Sequence, residues 1–208
     1  MNNAGFCSRP MQDIPPSGDG WYSFHQQAIT RVMLADGLGH GVNAQRVVLH
    51  LIKQMSWLCE RSDVLPAINE CMLKLDQCLR SLNDHGAQAA VAIADINTAN
   101  CTITAAGIGN IETLYICNGK THRFHSCNGM IGGRMPSKLP IQHHEASHGS
   151  LVGMFSDGLS IKTAQNYLCR LSESGTSLHN TTAQKIANQV VELSRSRNDD
   201  ASCAMVVI

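Results

Sequence analysis

The sequence predicts an α+β fold with helices packed outside stacked antiparallel sheets, and three observations carry that expectation. Two apolar stripes at helical spacing lie between residues 44 and 82, and two more helices, the second with a stripe from Ala183 to Val191, follow residue 160. The segment between them changes period to short strand-like runs, with a last apolar run at the C-terminus. Turn residues separate those runs, and Asn118-Gly119 is the favoured two-residue hairpin turn, which makes the neighbouring strands antiparallel. With 208 residues and 43% apolar residues the chain reads as one domain, 1–208, able to bury a real core.

Taken in order, Val32-Met-Leu-Ala35 is a short buried strand that stops at Asp36-Gly37. A helix follows, with Ala44, Val47, Val48, Leu51, Ile52, Met55 and Leu58 on one face. A second helix is expected from Asp63 as N-cap, with Pro66 in its first turn and Leu65, Ile68, Met72, Leu75, Leu79 and Leu82 as its stripe. Asn83-Asp-His-Gly86 breaks that pattern. Residues 87–96, 101–108 and 111–117 read as strands, and 120–124 as the return strand of the hairpin. Residues 128–149, rich in Gly, Pro, Ser and His, read as a long loop. Leu151 to Phe155 is another buried strand, again ending at Asp157-Gly158. Helices over 160–171 and 182–194 precede a closing strand over 204–208.

Composition excludes several classes of function. Sixteen basic and sixteen acidic residues balance, so neither nucleic acid nor an anionic membrane is the expected partner. No apolar run approaches the ~18 residues that span a bilayer, and the first ten residues lack a secretory signal. Nine scattered cysteines without a Cys-x-x-Cys pair point to reduced thiols in a cytoplasm.

The aspartates carry the chemistry. Of ten, Asp19, Asp36 and Asp157 sit at the margins of apolar or glycine-rich runs, and Asp199-Asp200 stands immediately before the closing strand. A single Asp-Gly is ordinarily a turn. Two apolar strands each ending in Asp-Gly-Leu, with a terminal Asp-Asp, exceed what turn chemistry alone requires. If those ends meet, four or five carboxylates share one place, at a cost of several kcal/mol in repulsion and desolvation. A hard dication removes that conflict, since Mg²⁺ or Mn²⁺ prefers carboxylate, carbonyl and water oxygens.

Other motifs fit less well. Gly37-Leu-Gly39-His-Gly41 departs from the dinucleotide fingerprint, because Val42 stands where that pattern has Gly or Ala. Cys127 and Arg134 are separated by six residues, one more than a Cys-phosphatase loop. His122, His125, His143, His144 and His148 lack a recognised zinc spacing. His40, inside the glycine loop, either contacts substrate, carries a proton or is simply exposed in a turn.

Four motifs in order resemble the SpoIIE-like branch of the PPM metal-dependent serine/threonine phosphatases: Ser17-Gly-Asp19, Ala35-Asp-Gly-Leu-Gly-His-Gly41, Phe155-Ser-Asp-Gly-Leu159 and Asn198-Asp-Asp-Ala-Ser202. Ala106-Gly-Ile-Gly-Asn110 is similar to the segment before that family's central hairpin. The resemblance implies an α/β/β/α sandwich of two antiparallel sheets flanked by helix pairs, with two Mn²⁺ or Mg²⁺ ions at one end. It implies that Asp36 bridges both ions and orients the nucleophilic water, with the Gly37 carbonyl and Asp19 on one ion. Asp157 and Asp199 then complete the other; the choice between Asp199 and Asp200 stays open. Asp200, His40 and Gly158 are expected behind the ligands or toward substrate.

The implied reaction is in-line attack by a metal-activated water on phosphoserine or phosphothreonine. The small size resembles stand-alone members of bacterial stressosome and partner-switching circuits. That resemblance implies phosphorylated STAS-domain proteins as partners; a monomer is the expected state. The alternative is a non-catalytic phosphatase-like module that sequesters a phosphoprotein or anti-sigma partner. Three positions depart from the family: Gly20 follows Asp19, Leu38 stands where eukaryotic members have a histidine, and no arginine closely precedes Asp19. No general acid is assigned.

Overall fold

The computed structural model describes residues 4–82, 84, 86–173, 182–196 and 198–208. Its elements run β1 (Ala4–Arg9), β2 (Asp19–Gln26), β3 (Ile29–Gly37), α1 (Gly41–Glu60), α2 (Ile68–Arg80) and β4 (Ala89–Asn97). After these come β5 (Thr102–Ile108), β6 (Glu112–Cys117), β7 (Lys120–Phe124), β8 (Gln142–Glu145), β9 (Leu151–Phe155), α3 (Ile161–Glu173), α4 (Ala183–Ser194) and β10 (Ala201–Val207). Two five-stranded sheets form, ordered β1-β10-β9-β6-β7 and β2-β3-β4-β5-β8, with antiparallel pairing throughout.

Strand alternation builds the layers. On β3 and β4, Met33, Ala35, Val91 and Ile93 face α1 and α2, where they meet Val47, Leu51, Met55, Met72 and Leu75. The alternate residues Val32, Leu34, Ala90, Ala92 and Ala94 turn toward the other sheet and pack with Tyr115, Val152, Met154, Ala204 and Val206. On the far side of that second sheet, Leu114, Phe155, Cys203 and Met205 meet Leu168, Ile186 and Val190 of α3 and α4. The result is the expected α/β/β/α sandwich. Ala90, Ala92 and Ala94 give β4 a small-residue face within this inter-sheet core.

Two expectations need correction. The second helix starts at Ile68, five residues after Asp63, with Ala67 extended at its N-cap. Pro66 disfavours helical backbone at Leu65, and its carbonyl accepts a 2.7 Å bond from Arg31 Nη2, so it stands outside the helix. Leu65 and Leu82 still pack against the core from beyond the helix ends. The stretch 128–149 is not all loop, because β8 pairs with the edge of β5. Its Gln-His-His-Glu sequence is polar on both faces, as suits a short edge strand, so no apolar alternation announces it. Strands β1 and β2 were also not evident from any apolar run. Asn83 and His85 of the predicted break lie outside the described residues.

Candidate metal centre

Antiparallel register brings the acids together. β2 begins at Asp19 and β3 ends at Gly37, and in their ladder Asp19 lies directly opposite Asp36. In the other sheet β9 runs antiparallel to β10, so Asp157, just beyond β9, and Asp199-Asp200, just before β10, reach the same end. The two sheets are stacked, and all five acids therefore crowd one edge of the sandwich. The loop Leu38-Gly39-His40 closes over that edge and opens directly into α1. Gly39 and Gly41 hold φ of +87° and +71°, so the loop can turn sharply on either side of His40.

The cleft at this edge has a volume of about 610 Å³ and is lined in part by Asp36, Gly37, His40, Asp157 and Asp199. Asp19 lies beneath it, 8% exposed, with Ser156 Oγ donating to its Oδ2 at 2.8 Å. Asp200 is buried and turned away: its Oδ1 accepts from Met11 N at 2.7 Å and its Oδ2 from Gly18 N at 2.6 Å. Asp199 Oδ1 accepts from Asp200 N at 2.8 Å. Gly158 is outside the cleft lining; a Cβ there would stand 2.1 Å from the Asp200 carbonyl oxygen, so it lets the Asp157 turn press against the start of β10. His40 is exposed on the cleft wall.

Electrostatically the site is loaded. Burial, then repulsion from Asp19, Asp157 and Asp199, pushes the Asp36 carboxyl far above the usual carboxylate range. Asp19 is raised as well, by burial and by Asp200, against the opposing pull of the Ser202 and Ser156 hydroxyls. Desolvation and Asp199 raise Asp157, while the Asn110 amide, donating to Asp157 Oδ2 at 2.6 Å, holds it down. No lysine or arginine lines the cleft among the described residues.

These residues fit a hard dication. Asp19 Oδ1 is buried with no hydrogen-bond partner, a state that a folded protein ordinarily avoids unless a ligand completes it. The donors on offer are oxygens, the chemistry Mg²⁺ and Mn²⁺ select. Among the described residues no three His, Cys, Asp or Glu side chains converge as a preformed cage. Waters would complete the shell of an ion held by these acids.

Sequence reasoning missed Asn110, Asn128, Met130 and Met11 on the cleft wall, and Ser156 below it. Asn110 ends the quoted Gly-Ile-Gly-Asn segment and Ser156 directly precedes Asp157, so both stood beside recognised motifs without being given a role.

Against known proteins, the family model described as Stage II sporulation protein E (SpoIIE) matches residues 26–207. The chain belongs to the SpoIIE family. This family is a branch of the PPM serine/threonine phosphatases, so the expected enzyme class, a phosphoprotein hydrolase, stands at the level of the family. No curated protein sequence matches significantly.

Solved structures agree in fold. One, from a study of the bacterial stressosome as a modular system adapted to control secondary messenger signalling, superposes with a TM-score of 0.77 at 20% identity, covering 97% of each chain. RsbX in complex with magnesium gives 0.74 at 17% identity, covering 96% of this chain and 92% of RsbX. The PP2C phosphatase domain of SpoIIE from Bacillus subtilis, solved with a fragment of its regulatory domain, gives 0.77 at 16% identity, covering 99% of this chain and 62% of that one.

Proposed function

We propose that this SpoIIE-family chain, as a single domain over 1–208, is a protein serine/threonine phosphatase that works with two Mn²⁺ or Mg²⁺ ions. The observation that carries the reading is the Asp19–Asp36 pair: the inner oxygen of buried Asp19 is unpartnered, and among the described residues no lysine or arginine lines the cleft to match the pair's charge. Asp36 would lie between the two ions, Asp19 and the Gly37 carbonyl would hold one, and Asp157 and Asp199 the other. Asp200, with both carboxylate oxygens on backbone amides, serves as a clamp behind these ligands.

When bound, the ions supply an activated water and neutralise charge on the phosphoryl oxygens. The chain's own contribution is to hold the acids in place. Asn110 fixes the Asp157 carboxylate, Ser156 fixes Asp19, and the rigid strand ends keep both from drifting. His40, at the mouth of the cleft, is placed to contact the phosphoserine side chain or its flanking backbone. Gly158 acts at a distance, by letting the two loops touch.

The proposed substrates are phosphorylated STAS-domain regulators of a partner-switching circuit in the cytoplasm, a reading supported by kinship of fold with RsbX and with a structure from the bacterial stressosome. No described helix is long and apolar enough to cross a membrane. The decisive experiment is manganese-dependent release of phosphate from an aryl phosphate and from a phosphoserine STAS protein. Release from both, abolished by Asp36→Asn, is the expected result. Retained binding of the phosphoprotein with no release from either would make the chain a sequestering module instead.

A further inference from the structure

The acid set is divided between two sheets: Asp19 and Asp36 belong to β2 and β3, Asp157 and Asp199 to the ends of β9 and β10. Stacked sheets are held by apolar packing, which is tolerant of small shifts, whereas ligands shared by one pair of ions are not. Something must fix the spacing between the two halves.

Ser156 has the required connections. It follows β9, is fully buried, and its backbone N–H donates to the Ser202 carbonyl at 3.0 Å. Its hydroxyl oxygen accepts from Ser202 N at 2.8 Å, which pins the oxygen to β10. Its single hydrogen goes across the sheet interface to Asp19 Oδ2 at 2.8 Å; the Asp200 carbonyl, at 3.5 Å, is the poorer acceptor. One hydroxyl thus ties β9, β10 and β2 together at the level of the acids. It occupies one Asp19 oxygen and leaves Oδ1 as the unpartnered one. An alanine would fill almost the same space, so the hydroxyl's worth there lies in these bonds.

We propose that Ser156 is a positioning residue of the metal centre: it orients Asp19 so that a single oxygen remains for the ion, and it sets the distance between the acids of the two sheets. This rests on the two-ion reading given above. The test is Mn²⁺ affinity, measured by calorimetry and by electron paramagnetic resonance of free Mn²⁺, with no substrate present. Ser156→Ala should weaken binding on the order of 10- to 100-fold, the usual effect of removing an outer-shell partner. Ser156→Cys, somewhat larger and with a weaker donor, should fall between that variant and wild type.

Ser172→Ala is the control for a merely structural hydroxyl. Ser172 is a buried serine on α3 that accepts from Gly119 N at 2.9 Å and donates to the Cys169 carbonyl. It should melt earlier with unchanged Mn²⁺ affinity. A folded Ser156→Ala protein that binds Mn²⁺ as tightly as wild type overturns the proposal. If that variant does not fold, wild-type affinity in Ser156→Cys overturns it equally. Absence of Mn²⁺ binding by the wild-type protein would instead sink the two-ion reading itself, and this inference with it.

Discussion

Removing one charge from the centre should stabilise the metal-free protein while destroying its activity. Asp36 is the residue to change, because its carboxyl is pushed up to about 9 from an ordinary value of 3.8. The sign follows from proton counting. Between those two values the folded metal-free protein holds a proton that the unfolded chain has released, so stability is greatest at low pH and falls as pH rises toward 9. One proton corresponds to about 1.4 kcal/mol per pH unit, hence on the order of 4 kcal/mol between the unfolded value and pH 7 as an upper bound.

Asp36 is partly exposed and its titration is tied to that of Asp19, so about half of that, ~2 kcal/mol, is the expected gain for Asp36→Asn at pH 7 in EDTA. Asparagine nearly matches the carboxyl in size and cannot ionise. For a chain of this length the gain is a rise in melting temperature of roughly 4–8 °C. Thermal melts of both proteins in EDTA at pH 4, 7 and 8.5 give the result, their difference cancelling every other titrating group. It should be near zero at pH 4 and grow with pH, and saturating Mn²⁺ should reverse the order. A variant no more stable than wild type at pH 7 and 8.5 would refute the claim that the acids repel one another in a shared desolvated site.

Three further substitutions separate structure from chemistry. Asp200→Ala strands the Met11 and Gly18 amides and should cost about 2–4 kcal/mol in urea denaturation, with or without metal. Gly158→Ala drives a Cβ against the Asp200 carbonyl and should destabilise by about 2 kcal/mol or more, with weaker Mn²⁺ binding by calorimetry as the Asp157 turn lifts away. Arg31→Met leaves Asp95 without its two-pronged partner (2.6 Å on both oxygens) and should cost about 3–5 kcal/mol in urea, while Mn²⁺ affinity stays at the wild-type value.

The sequence made legible what repeats or what interrupts a repeat. Helices α1, α2 and α4 show their stripes, and Asp36 and Asp157 stand out because each stops an apolar strand with the same Asp-Gly-Leu step. Features created by long-range pairing left no such trace. Arg31 looks like an ordinary exposed cation in sequence, yet it is 1% exposed and bonded to Asp95, to Cys71 Sγ and to the Pro66 carbonyl. β8 is polar on both faces because it covers an edge, and α2 starts late because a tertiary bond holds Pro66 outside it. Ser156 and Asn110 act through partners more than forty residues away in sequence, so no local pattern could rank them.

The choice between Asp199 and Asp200 shows where sequence and structure divide the work. Adjacent residues entering a strand project to opposite sides, so one of the two acids must turn inward when the other meets the cleft. Sequence establishes that alternation but not its phase. The phase comes from β10, where Cys203 pairs with Phe155 on one side and with Cys7 on the other. That register sets Asp200 against the β1–β2 connection, where two backbone amides need an acceptor, and leaves Asp199 on the cleft wall beside Asp157. An inward carboxylate with two N–H donors is satisfied without a cation, whereas the Asp19–Asp36 pair is not. A dication is therefore expected first beside Asp19 and Asp36, where hydrogen bonding runs out; Asp157 and Asp199 on the cleft wall are proposed as its further ligands, and Asp200 is the clamp.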